Sequence, residues 1–359
     1  MTRSFLLSLF MILTLAATAA RAQDSDPASD RAAAYATTPA THDGRRWRIG
    51  YYEGGQYPDY EVILKAMVRG LIALKWMEPL AIPPDNDPTP GGFWQYLATH
   101  AKSDYITFVP DAYYSAGNFD STLRPKSRRA VIERLNKKAD IDLMIAMGTW
   151  AGQDLATNDH HVPTIVASTS DPVGSGIVVS ATNSGRPHLN AKVEPDRYMR
   201  QVEMFHDIIH FGVLGIVYED TPEGRTFGAV EAIEKAAAHR GFRIERCYAK
   251  FGDASAEQAQ QGVVDCYRSM VGKVDAAYLT VHRGLNAASF PKVIAALTKA
   301  NIPTFSMSGE SEVKRGALMS VAQSNYVYVG QFHAETIARV FNGARPGDLP
   351  QVWQAPAKI

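Results

Sequence analysis

The chain has 359 residues, 37 Lys+Arg balanced by 37 Asp+Glu, and only two cysteines. Zero formal charge leaves no basic face to neutralise phosphates, which argues against nucleic acid as a partner. Two cysteines are too few for a disulfide-framework fold, and the length suits two ordinary domains.

The first residues read as an export signal. Arg3 gives a modest positive start, an almost unbroken apolar run extends from Phe5 to Ala20, and Ala20-Arg21-Ala22 offers a small-x-small cleavage pattern before Gln23. The run is about 16 residues, short of the roughly 20 that cross a bilayer. Residues 1–22 are therefore expected to be a cleaved signal peptide. No later stretch is long and apolar enough to span a membrane. Residues 23–45, rich in Ala, Asp, Ser, Thr and Pro without an apolar period, read as a flexible leader.

From Trp47 onward short apolar runs alternate with amphipathic helices, the pattern of a doubly wound parallel sheet. A strand is expected at 47–52, then a helix whose stripe is Tyr60, Ile63, Leu64, Met67, Leu71 and Leu74. Residues 79–104, with five prolines and Gly91-Gly92, read as an insertion with a short helix near Trp94. Strands follow at 105–109, 143–147 and 164–167. A second set begins after Pro195: a helix bearing Tyr198, Val202, Phe205 and Ile209, strands at 213–218, 243–247, 276–279 and 304–307, and helices at 224–239, 256–270 and 291–300. A strand at 317–321 and a helix at 327–341 close the chain, placed to return to the first unit. Cys247 and Cys266 either pair in an oxidising compartment or stay as buried thiols.

Ligands of open parallel sheets bind beyond the carboxyl ends of the strands. The tips carry Tyr51-Tyr52-Glu53, Thr149-Trp150, Ser170-Asp171, Tyr218-Glu219, His282-Arg283 and Ser308-Gly309-Glu310. Hydroxyls and helix-starting amides suit a carboxylate. Asp171, Glu219 and Glu310 suit an ammonium, and Tyr51, Tyr52, Trp150 and Tyr218 offer faces to a ring. Taken singly, such residues usually cap helices; repetition in both units favours a site. No Gly-x-Ser-x-Gly elbow, Walker loop or complete dinucleotide fingerprint occurs. His160-His161 lacks further ligands at zinc spacing and reads as a solvated loop. The sequence therefore reads as a non-enzymatic receptor without metal or cofactor.

Four segments extend this reading: IVASTSDPVGSGI at 165–177, VGKVDAAYL at 271–279, the strand at 302–305 followed by VKRGAL at 313–318, and YVGQFHAETIARVFNGARPGDLP at 328–350. In this order they resemble the substrate-binding components of ABC transporters, in the group whose better-known members take up aromatic amino acids. The resemblance implies an α/β fold of two doubly wound, Rossmann-like lobes joined by three crossover segments, the type I periplasmic binding protein. Lobe one would be 46–175 plus 320–343, lobe two 180–315, and 344–359 a C-terminal tail. It implies a monomer in the periplasm that closes on a small molecule and docks transiently on an ABC transporter permease. By position, Thr149, Ser170 and Asp171 match first-lobe contacts, and Tyr218, His282 and Ser308 to Glu310 match second-lobe loops. Two departures stand out. Relatives tend to carry an aspartate where this chain has Ser308-Gly309-Glu310 with an extra residue, and the loop 51–57 is unusually rich in tyrosine and glycine. The alternatives weighed are a ligand-sensing module for a membrane receptor or kinase and, behind it, an exported hydrolase.

Overall fold

The computed structural model describes residues 34–84, 89–321 and 326–353. The signal segment expected at 1–22 and the end of the tail lie outside the described residues.

The first sheet is built from β1 (Trp47–Glu53), β2 (Ile106–Ser115), β3 (Leu143–Met147), β4 (Thr164–Ala167) and β5 (Leu189–Ala191), in the order β2-β1-β3-β4-β5 and parallel throughout. The second contains β6 (Val213–Tyr218), β7 (Arg243–Tyr248), β8 (Ala276–Leu279), β9 (Thr304–Ser306) and β10 (Met319–Ser320), in the order β10-β9-β8-β6-β7. Counted from each unit's first strand, the two orders are the same. β3 and β8 read as unbroken apolar runs because helices cover both of their faces.

Around the first sheet pack α1 (Pro58–Ala73), α2 (Gly92–His100), α3 (Arg124–Lys137) and α4 (Gly148–Leu155). The second carries α5 (Arg197–Ile209), α6 (Pro222–Phe227), α7 (Val230–Arg240), α8 (Ala256–Ser269), α9 (Phe290–Lys299) and the single turn α10 (Glu310–Val313). α8 starts at a capping box, Ser255 with Gln258. The single helix expected over 224–239 is broken in two, because Ala229 adopts the left-handed region at φ 50° and interrupts the turn-to-turn hydrogen bonding. The disulfide Cys247–Cys266 ties edge strand β7 to α8, which settles the pairing.

Three boundaries differ from the sequence reading. β5 joins the first sheet beside β4, so the first lobe runs past residue 180. β10 pairs with β9 and stays in the second lobe; only the next helix, α11 (Val327–Phe341), returns to the first. Residues of the leader are docked rather than free: the indoles of Trp47 and Trp76 donate to the carbonyls of Ala40 and Thr37, each at 2.9 Å, and His42 stacks on Trp47 at 4.0 Å. Buried indole N–H groups need acceptors, and this segment supplies them.

α11 lies against α1 at a contact of small residues. A Cβ on Gly330 would sit 2.3 Å from the Ala66 carbonyl group, and one on Gly70 would sit 2.6 Å from the Ala334 methyl. The chain crosses between the lobes from β5 to α5 and from β10 to α11. The tail runs beside the first crossing, where Val193 and Trp353 exchange backbone hydrogen bonds with Gln351 and Val193.

Candidate functional site

The strand tips of both sheets meet across one gap. A pocket of about 70 Å3 lies there, lined by Tyr57, Asp59 and Ile63 at the start of α1, Ser168–Ser170 after β4, Lys192, Arg197 and Tyr198 at the crossing, and Val281, Met307 and Ser308 from the second lobe. Its chemistry is polar. Glu194 accepts from Lys192 at 2.8 Å and from Arg197 at 2.7 Å. Burial opposes ionisation of Glu194, yet the two cations hold its carboxyl below the usual range. Asp59 accepts from the Tyr326 hydroxyl at 2.9 Å, and burial raises its carboxyl. Lys192 and Arg197 thus share the Glu194 carboxylate, with the Asp59 carboxyl close by in the same lining. Ser168, at φ 58°, is a non-glycine residue in the left-handed region, the kind of strain that collects at binding sites. The Thr169 hydroxyl is buried and has no hydrogen-bond partner among the described residues.

Near the Ser308–Gly309 loop, the Ser306 hydroxyl accepts from the amides of Ser308 and Gly309 and donates to Glu312 at 2.6 Å. Burial, reinforced by Asp59, pushes the Glu312 carboxyl up to about 7. An acid whose folded pKa is raised favours the native state in its protonated form. That advantage is present below about 4.5 and is lost as pH rises towards about 7. Glu312→Gln, which keeps the acceptor for Ser306, is therefore expected to gain roughly 2–3 kcal/mol on the parent at pH 8 relative to pH 4.5. Urea unfolding at both pH values measures this; an equal effect at both would show that Glu312 ionises freely.

The lobes are shut by a latch on the rim of the gap. Phe119 of the first lobe meets Phe251 of the second edge-on at 5.1 Å, and Phe251 in turn packs on Phe227 at 4.6 Å. The Ser121 amide donates to Asp253 at 2.8 Å and the Asp253 amide to the Phe119 carbonyl at 3.2 Å. Loop 249–254 is held rigid from below. Glu219 accepts from the amides of Phe251 and Gly252 at 2.9 and 3.1 Å. Arg283 donates to the carbonyls of Phe251 and Ala254. The His282 Nδ1 accepts from Gly284 at 3.0 Å, so the network assigns the proton to Nε2, which points at the Ala249 carbonyl at 3.2 Å. Burial keeps this ring neutral, with a pKa lowered to about 4.

Of the residues expected to bind ligand, Ser170 and Ser308 line the interlobe pocket. Tyr51 and Glu53 face a different cavity inside the first lobe. Tyr52 is sealed, its hydroxyl donating to Asp154 at 2.6 Å. Thr149 is buried in the first turn of α4, and Trp150 is sandwiched by the Arg124 guanidinium, 4.7 Å from its ring, and the edge of Phe119. Asp171 spends its carboxylate on the Gly174 amide at 2.8 Å, holding a turn. Tyr218 is buried edge-on to Tyr248, Glu219 and His282 hold the latch loop, and Glu310 pairs at the surface with Lys314. His160, expected in solvent, is buried against His188. No cluster of metal-ligating side chains occurs among the described residues. Sequence reasoning did not place Tyr57, Asp59, Lys192, Arg197 or Tyr198 in the site, and it read Thr169 only as part of the strand-tip run 168–172. The one available signal was the charged run around Pro195, which lies at a crossing rather than at a strand tip.

Residues 117–358 match the model of a family described as ABC transporter substrate binding protein. Among solved structures, the chain is similar to the ABC domain in complex with L-Trp from Streptococcus pneumonia, at 20% identity, TM-score 0.61, covering 86% of this chain and 90% of that one. It is also similar to a conserved domain protein from Vibrio cholerae, at 18% identity, TM-score 0.62, covering 88% and 91%. A third likeness is to a solute binding protein from Bacillus halodurans with bound myo-inositol, at 14% identity, TM-score 0.53, covering 85% and 92%. No curated protein matches the chain. At these identities the structural likenesses establish the fold alone.

Proposed function

From the premise that the chain belongs to the ABC transporter substrate binding protein family, whose members are not enzymes, we propose that it captures a small acid or zwitterion in the interlobe pocket and delivers it to a membrane permease. The observation that supports the ligand class is the pair of cationic side chains in the lining, Lys192 and Arg197, beside a buried Thr169 hydroxyl that has no hydrogen-bond partner among the described residues. A ligand carboxylate would accept from the hydroxyl and a ligand ammonium would face Asp59. An aromatic amino acid is the case with a structural parallel, the L-Trp complex, and it would require the gap of about 70 Å3 to widen as the lobes open. Ligand contacts to both lobes exist together only when the gap is shut, so binding favours closure. After ordering and desolvation costs, a net of about −8 kcal/mol, near micromolar, is the expected scale. The export signal expected at 1–22 supports a periplasmic setting for this capture.

Native mass spectrometry of freshly purified protein is expected to show a bound carboxylate-bearing small molecule. Thr169→Val, an isosteric change that leaves no protein group without its partner, is expected to weaken that binding about tenfold. Its thermal midpoint should match that of the parent. Unchanged affinity in Thr169→Val would remove this hydroxyl from the site, and an empty protein that takes up no acid or zwitterion would overturn the reading.

A further inference from the structure

The first lobe holds a second cavity, of about 300 Å3, on the opposite flank of α1 from the interlobe pocket. Its walls come from residues 51–113, ahead of the segment matched to the family. Tyr51 and Glu53 at the tip of β1, Tyr60 on α1, Tyr113 on β2, and Phe93 and Trp94 on α2 surround it. Glu53 is only 6% exposed and accepts hydrogen bonds from the Tyr51 hydroxyl at 2.8 Å and the Tyr113 hydroxyl at 2.7 Å. It forms no ion pair among the described residues. Burial pushes its carboxyl up to about 7 although both phenols oppose the rise. The buried Lys65 is already engaged: its ammonium pairs with Glu61 at 2.5 Å, donates to the Pro84 carbonyl and lies 5.1 Å from the Phe93 ring. With Glu61 ion-paired to Lys65, Glu53 is the one lining carboxylate without an ion pair among the described residues, and it lies among aromatic side chains.

Such a surface answers one ligand chemistry. The faces of Tyr, Trp and Phe attract cations through their quadrupoles, most strongly where water is excluded. A carboxylate in its ionised form adds an opposite charge. A cavity near 300 Å3 is at the small end of the range for ligand pockets. We propose that this cavity binds a substituted ammonium group, at a site distinct from the interlobe pocket, which it adjoins at Tyr57. The insertion exists, on this reading, to complete the cage. It brings Phe93 and Trp94 over β1, and it closes on Tyr113 through Gly91. A Cβ on Gly91 would lie 2.9 Å from the Tyr113 ring, and its φ of 66° also favours glycine.

The probe is choline, compared with 3,3-dimethylbutan-1-ol, its neutral carbon analogue of the same shape. Calorimetric titration of the full protein is expected to show saturable choline binding in the millimolar range or tighter, at least tenfold tighter than the alcohol. Glu53→Gln, which keeps one oxygen acceptor and turns the other into an amide that can donate to the second phenol's oxygen, should reduce choline affinity more than tenfold. Tyr113→Leu, a change on the half-buried edge strand, should lower it severalfold and serves if Glu53→Gln does not fold. Thr169→Val should leave choline binding unchanged, so the two sites stand or fall separately. Equal affinity for choline and the alcohol, full binding by Glu53→Gln, loss of choline binding in Thr169→Val, or no saturable binding at millimolar choline would each overturn the proposal.

Discussion

Gly330→Val is expected to cost more than about 3 kcal/mol of stability. The reason is backbone proximity. The Cβ of any residue at 330 meets the Ala66 carbonyl carbon and oxygen at 2.3 Å, and those atoms belong to a helix that cannot bend aside. α11 would have to lift off α1, and with it Val329, Ala334, Ile337 and Phe341, all buried in the first lobe's core. Alanine at 330 should already be destabilising. Gly343→Ala is the control for conformation without collision: φ is 97°, yet no atom lies within 4 Å of the added methyl. It should cost only about 1 kcal/mol. Urea unfolding of the three variants ranks them, and a Gly330→Val protein as stable as Gly343→Ala would show that the two helices are not in contact.

The second large effect is expected at the latch. Phe251→Ala should open the lobes of the ligand-free protein, seen as an increase in its radius of gyration by small-angle scattering. Phe251 belongs to the second lobe, but with Phe227 it is buried in the apolar cluster of the first, against Phe119. Truncating a buried Phe costs about 3–5 kcal/mol. Part of this is felt within the second lobe, through Phe227 and His282. The remainder, on the order of 2 kcal/mol, is lost only by the closed form and would shift the open-to-closed ratio by roughly thirtyfold. Phe251→Leu, which keeps most of the apolar area, should stay compact. An unchanged radius for Phe251→Ala would mean that the backbone hydrogen bonds of Asp253 suffice to hold the lobes together.

Most strands were legible because a parallel sheet buries both faces and writes its strands as plain apolar runs. The segments 143–147, 164–167, 213–218 and 276–279 lie where the sequence reading puts them. β5 was not legible. Its three residues, Leu-Asn-Ala, contain a polar side chain that donates to the carbonyls of Pro346 and Leu349, a partnership made only by the folded tail. β10 was seen but assigned to the wrong lobe, since strand partners are set by the crossing and not by local pattern. The candidate site was legible in kind more than in detail. Strand-tip residues do gather at one gap, yet Glu219 and His282 face inward to brace the loop that carries Phe251, while Lys192, Arg197 and Tyr57 enter from the crossing and a helix start. Which side of a tip a residue takes is a three-dimensional fact that spacing along the chain does not contain.

The repeated strand order has one more consequence. Tyr52-Glu53 and Tyr218-Glu219 end the corresponding strands β1 and β6, and in both pairs the tyrosine is buried. Their carboxylates are put to different uses: Glu53 accepts from two phenols at a cavity wall, while Glu219 accepts from two backbone amides and braces a loop. Equivalent strand tips have thus diverged, and neither lobe can stand in for the other at this position.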